Sequence, residues 1–229
     1  MKPSLPTLLS INGGYVDTAG FLALHGLFTA HVTGNFVTFA AAMVLGTSGA
    51  AAKLLALPVF CAVVIFARLL GGELSRRNLP VLPVILTLNF LLLALAAVFT
   101  LGFGPFVSGD GWQAILTGMT LVSAMAVQNA LHRVHLGTAP PTTMMTGTTT
   151  QIMIDIADLL RGVAPEAKAA ARARLGRMGA TLGGFVCGCA AAALLFMLIG
   201  VACFLVPPVL ALAGILLHRG RAAARPVER

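Results

Sequence analysis

Thr33-Gly34-Asn35 interrupts an almost continuous apolar run, and Thr146-Gly147-Thr148 repeats the interruption 113 residues later. Each triplet stands between a segment dotted with polar side chains and a short apolar stretch. A glycine break placed twice in an apolar chain predicts a discontinuous helix, whose loose backbone ends can meet a polar ligand. The sequence thereby predicts a site and a symmetry.

The surroundings of the breaks define their solvent. Hydrophobic residues make up 58% of the 229, charged residues only 10%, and the mean hydropathy is +0.95. A soluble domain carries about 25% charged residues, so the bilayer is the predicted solvent. The net charge of +8 gathers at segment ends, in the 161–177 connection and in the tail. Charges so placed set orientation and touch anionic headgroups. With a single Trp and a single Tyr there is little for base stacking, and nucleic acid is not an expected partner. Cys61, Cys187, Cys189 and Cys203 lie in apolar runs without disulfide or zinc spacing and read as small buried hydrophobes. The N-terminal stretch lacks the flank and cleavage pattern of a signal peptide, so the first apolar segment is expected to be retained.

Eight apolar segments are legible, at about 8–30, 35–50, 55–75, 81–102, 111–132, 146–160, 177–198 and 200–218. A full span needs roughly 20 residues. The second and sixth, which follow the Thr-Gly motifs, are short. The segments form two sets of four, about 8–102 and 111–218, in a single membrane domain with a basic tail at 219–229. Aligning Gly34 with Gly147 also brings Gly71-Gly72 within one residue of Gly183-Gly184.

Charge placement distinguishes two topologies. If all eight segments span, Arg76, Arg77 and Arg133 fall opposite the basic 161–177 connection. If the two short segments are re-entrant, six crossings remain and nearly all the cations share one side, leaving Lys53 and Asp110 on the other. The positive-inside rule favours the second arrangement, with both termini cytoplasmic. Three crossings per half make the repeats inverted, a recurring transporter architecture. The expected fold is therefore all-α and polytopic, with about six transmembrane helices plus two short discontinuous or re-entrant ones.

Several polar residues lie where polar residues are expensive. Asp17 falls about nine residues into the first segment, roughly 14 Å deep. It reads either as a functional carboxylate or as a neutral group bonded between helices. Gln128 and Asn129 occupy the equivalent place in the second half and read either as ligand-orienting amides or as interhelical hydrogen bonders. Thr33, Gly34, Asn35, Thr146, Gly147 and Thr148 read as helix starts whose free N–H groups and dipole could receive a solute. Gln151, Asp155 and Asp158 share one face of the sixth segment, the acids either in a proton or cation route or simply wet. His25 and His31 flank the first break as candidate proton relays. Arg68 reads as a snorkelling cation or as a buried partner of Asp17 or Asp155. Gly179-x3-Gly183 and Gly184-x3-Gly188 allow close helix approach, within the chain or across a homodimer. Walker loop, Gly-x-Ser-x-Gly and zinc-binding pairs are absent from the sequence, and neither cofactor, metal nor enzymatic activity is expected.

Gly14-Tyr15-Val16-Asp17-Thr18-Ala19-Gly20-Phe21, Thr33-Gly34-Asn35 and Ala126-Val127-Gln128-Asn129-Ala130 together resemble the YoaK-like family of uncharacterised bacterial membrane proteins, over about 10 to 200. Where that family more usually carries an aromatic or polar run before Thr-Gly-Asn, this chain has Thr29-Ala30-His31-Val32. The resemblance implies a compact multi-helix protein of the bacterial inner membrane, often described as a permease. The expected function is secondary transport or facilitated passage of a small polar solute or ion, with Asp17 as coupling carboxylate or cation partner. The alternatives are a scaffold or partner subunit assembled through its glycine-rich faces and, at lower weight, an intramembrane enzyme.

Overall fold

The computed structural model describes residues 4–162 and 164–223, without the side chains of 221–223. Lys2 and most of the basic tail lie outside the described residues. The described chain folds into eight α-helices: α1 (Leu5–Ala23), α2 (Gly34–Leu45), α3 (Ala50–Arg76), α4 (Val81–Phe103), α5 (Trp112–His135), α6 (Met145–Arg161), α7 (Pro165–Ile199) and α8 (Val206–Ala223). A 3-10 turn, Gly200–Leu205, joins α7 to α8, and no strand occurs among the described residues.

Local chemistry sets the boundaries. The Ser4 hydroxyl accepts the Thr7 N–H at 3.3 Å, and Pro6 stands in the first turn of α1, where its missing N–H is harmless. Past Leu24, His25 and Gly26 take positive φ and turn the chain back. Gly46 (φ 63) closes α2 and Gly49 (φ 91) precedes α3, both in the left-handed region that glycine enters without strain.

Two expected boundaries are corrected. The first segment stops at Ala23, well short of 30, because 24–33 is a loop. α7 begins at Pro165, so most of the basic 161–177 connection is helix. Proline favours a first turn, and the Ala, Lys and Arg that follow are strong helix formers.

Four helical stretches among the described residues are long and apolar enough to cross a membrane: Ala50–Arg76, Val81–Phe103, Trp112–His135 and the run Pro165–Gly220. The last holds 56 residues. A straight helix of that length would measure about 84 Å against a hydrocarbon core of about 30 Å. It is broken at Gly200 (φ 56), and both α7 and α8 pack on α1.

The helix directions follow from named contacts. Thr7 lies against Gly184 and Ile11 against Gly188, so α1 and α7 run parallel. Leu9 receives a bond from Gln128 while Leu24 and Leu27 touch Gly118, so α1 and α5 run antiparallel. At one end of the bundle, Gly109 packs on Gly49 and His25, and the Asp110 carboxylate accepts the N–H groups of Gly49 and Ala51 at 2.8 and 3.0 Å. The end of α1 and the starts of α3 and α5 therefore meet at that end. The chain leaves α1 there and enters α3 there, with α2 between.

The packing repeats under exchange of halves: α1 with α7 as α5 with α3, α2 with α3 as α6 with α7, and α4 with α5 as α8 with α1. The glycine landmarks do not match in role. Gly71, at the same offset from Gly184, has only the Val81 side chain nearby, at 3.4 Å, whereas Gly184 is pressed against Thr7 and Ile11.

Candidate functional site

Asp17 stands six residues before the end of α1 and is 4% exposed. The loop that leaves α1 returns to it. Its Oδ1 accepts the N–H of Thr29 at 2.8 Å and of Ala30 at 2.7 Å, with the Thr29 hydroxyl at 3.3 Å. Its Oδ2 receives Nδ1–H of His31 at 2.6 Å. Successive backbone N–H groups converging on one oxygen form an anion nest, here filled by the chain's own carboxylate. Asn35, the first buried residue of α2, completes the loop. Its Oδ1 accepts Phe28 N–H and its Nδ2 donates to Phe28 O, both at 2.8 Å.

The second half builds the same device from neutral groups. Asn129 stands six residues before the end of α5, and its Oδ1 accepts the Thr143 hydroxyl at 2.7 Å. The separation from Asn129 to Thr143 equals that from Asp17 to His31. In each half a polar side chain on a long helix captures the loop that leads into the short helix.

The two captured loops meet. A cavity of about 350 Å³ is lined by Ala30–Thr33 from the first loop and by Thr143 and Met144 of the second loop with Met145–Gly147 at the start of α6, and Asn129, Leu57 and Phe60 complete the wall. Among the described residues, no Asp, Glu, Lys or Arg lines it. A second cavity, of about 570 Å³, lies between α1 and α7 and carries Asp17, Phe21, Phe28 and Phe185. His31 and Thr33 line both. The His31 ring packs edge-on to Phe185 at 5.6 Å.

The other sequence candidates fall as follows. Thr33, Thr146, Gly147 and Asn129 line the shared cavity, and Gly34 lines the second one. Thr33 is the residue before α2 but makes no side-chain cap, and α6 starts one residue before Thr146, also without a side-chain cap. Asn35 and Thr148 turn inward, Thr148 bonding Met144 O at 3.3 Å. Gln128 does not reach the cavity. Its Nε2 donates to Leu9 O at 2.9 Å, tying α5 to α1. His25 is remote from a relay with His31, its Nε2 lying 3.0 Å from Phe106 O at the bundle end.

Asp155 belongs to another cluster. It is 1% exposed and is held by both donors of the Arg174 fork, at 2.7 and 2.5 Å, and by Gln151 at 2.8 Å. Arg68 pairs with neither Asp17 nor Asp155 and lines a separate cleft with His135. Gly184 and Gly188 press α7 onto α1, so that a methyl on Gly188 would collide with the Ile11 carbonyl, while Gly179 and Gly183 face open space. Among the described residues, no group of three or more His, Cys, Asp or Glu converges as a metal site.

The sequence reading missed the loop-capturing role of Asn35 and the partnership of Arg174 with Asp155. Neither could be read from spacing, since Arg174 stands on the next helix, in a stretch expected to be loop.

Fold and site together define a helical, apolar protein of membrane character with paired loop–helix elements around an uncharged cavity. A family model matches residues 5–217, and the chain belongs to that family, described as protein of unknown function (DUF1275). No curated protein and no solved structure matches it.

Proposed function

We propose that this protein is a secondary transporter or facilitator for a small, uncharged polar solute, which binds where the two captured loops meet. The observation that carries the reading is the shared cavity, lined by both Thr-Gly breaks. Its volume of about 350 Å³ lies at the small end of ligand pockets. Threonine hydroxyls and the polar groups of the loops can bind a polar molecule there, and Leu57, Phe60 and Met145 suit an apolar portion. An ion would need a counter-charge, because burying an isolated charge is prohibitive. The Asp17 oxygens already accept bonds from the chain's own donors. Asp17 therefore acts as an anchor for the first break, and the substrate class narrows to neutral solutes.

Six crossings with α2 and α6 re-entrant fit this reading. In an all-crossing arrangement α1 and α5, separated by three helices, would be parallel, whereas their contacts are antiparallel. Removing α2 from the crossings restores the parity. Each half would then contribute three crossings and the halves would be inverted, as in transporters built from inverted repeats, with a cavity to which both halves contribute.

A panel of neutral metabolites tested by thermal shift in detergent checks the reading. A ligand of the native state at a hundredfold its Kd adds about 2.7 kcal/mol of apparent stability. The expectation is a hit on the wild type that is lost in Thr33→Val/Thr146→Val and that shows counterflow in proteoliposomes. Equal stabilisation of the double variant would place the solute elsewhere. A panel without hits, with assembly lost in Gly183→Leu, would favour the scaffold reading, for which Gly179 and Gly183 leave an open face.

A further inference from the structure

His31 occupies a position that its counterpart does not. It lines the shared cavity and the α1/α7 cavity, so its ring stands at the boundary between them. Its side chain is 39% exposed, whereas Asp17 behind it is 6% exposed. Nδ1–H is committed to Asp17 Oδ2, which fixes the tautomer and leaves Nε2 as the exchangeable nitrogen. The equivalent bond in the other half joins Asn129 to Thr143, a pair without a titratable proton near neutral pH. The two loops are thus built alike, but only the first can change charge.

Charged and titratable neighbours are few. α1 contributes Asp17, and α7 contributes Cys189, whose thiol donates to Gly14 O at 3.4 Å. From α3, α5 and α6 the cavity walls bring Leu57, Phe60, Asn129, Met145 and Thr146, none of which titrates in this range.

We propose that His31 is a proton-exchange site common to both cavities, so that solute passage is coupled to H⁺. The proposal rests on the transport reading above. The step is a single proton transfer. Water in one cavity gives a proton to Nε2, forming an imidazolium whose Nδ1–H remains bonded to the Asp17 carboxylate. After the first loop shifts, Nε2 returns that proton to water in the other cavity. No bond between heavy atoms forms or breaks, and the net change is one proton moved. Asp17 balances the imidazolium charge and keeps the ring aimed, as a positioning residue. In an inverted pair of halves, only the first captured loop then responds to protons at the cavity, which gives the cycle a direction set by the pH difference.

The test uses protons alone as the probe. Full-length protein labelled with 15N-histidine is reconstituted in lipid nanodiscs and titrated by NMR, with His31→Gln identifying the signal. Gln keeps a donor for Asp17 but cannot cycle a proton. The expected result is an imidazole signal that follows pH and disappears in His31→Gln. In Asp17→Asn its midpoint should move lower by about one pH unit or more, because the balancing carboxylate is gone. In proteoliposomes the His31 signal, read by infrared difference, should answer to pH jumps on either side of the membrane. A His31 that does not titrate, a midpoint indifferent to Asp17→Asn, or access from one side only would each overturn the proposal. These outcomes are independent of the solute panel. A panel without hits defeats the transport reading while His31 still titrates, and a silent His31 defeats proton coupling while a solute hit stands.

Discussion

At the residue scale, Asp17 and Asn129 perform one task with different chemistry. Each is a polar group one and a half turns inside a long helix, and each bonds the loop that follows. A buried donor deprived of its acceptor costs about 1–3 kcal/mol. Asp17→Ala leaves the N–H groups of Thr29 and Ala30 and the His31 ring without their acceptor. It should destabilise the protein by at least the upper part of that range in chemical unfolding, and Asp17→Asn by less, since an amide oxygen still serves Oδ1's donors. Asn35→Ala loses both bonds to Phe28 and should cost a comparable 1–3 kcal/mol. If Asn35→Ala melts like the wild type, the loop is held by Asp17 alone. The polar character of Asp17, Gln128 and Asn129 was evident from their depth in apolar segments. Their partners were not, because a hydrogen bond to a returning loop leaves no mark in spacing. Gln128 and Asn129 are adjacent, and only helix rotation sends one to Leu9 and the other to Thr143.

At the element scale, α7 carries two distinct faces and a charged beginning. Gly184 and Gly188 are pressed against α1, and Gly179 and Gly183 are not. Gly188→Leu must drive α7 away from the Ile11 carbonyl, so it should lower the melting temperature sharply or abolish folding. Overpacking of this kind costs about 1–3 kcal/mol and more against rigid backbone. Gly183→Leu should fold as the wild type. Equal loss in both would mean that the two faces are not distinguished by α1. Spacing gave both glycine motifs the same meaning, and only the packing of α1 separates them. The first turns of α7 also bring Arg174 onto Asp155. Asp155 lies ten residues along α6 from Met145, about 15 Å from the cavity. The hydrogen bonds from Arg174 hold its carboxyl below the ordinary carboxylate range. A value depressed on folding stabilises above the unfolded value, and that stability is lost as pH falls through the folded one. The wild type should therefore melt above Asp155→Asn from neutral pH down to about pH 4, and the two should converge only in stronger acid. Curves that already coincide at pH 7 would show the pair to be thermodynamically idle.

At the scale of the whole molecule, the proposed re-entrant arrangement makes a prediction about sides. In a cysteine-free background, Thr138→Cys and Arg161→Cys flank α6 and should be labelled by an impermeant maleimide from the same side, with Ser108→Cys labelled from the other. If every helix crossed, Arg161→Cys would instead be labelled together with Ser108→Cys. The sequence by itself determined the apolar, helical character of the protein, the eight helical segments, the two short ones and the two breaks. Those features rest on composition and on local backbone preference, which act over a few residues and are written in order along the chain. The antiparallel pairing of α1 with α5, the meeting of the loops in one uncharged cavity and the capture of Asp17 by Thr29, Ala30 and His31 were decided only by the tertiary structure. They depend on the rotation and direction of helices about their axes, which are fixed by side-chain packing between segments far apart in sequence. For that reason Asp17, which reads in the sequence either as a functional carboxylate or as a group bonded within the protein, is seen only in the fold to bond Thr29, Ala30 and His31.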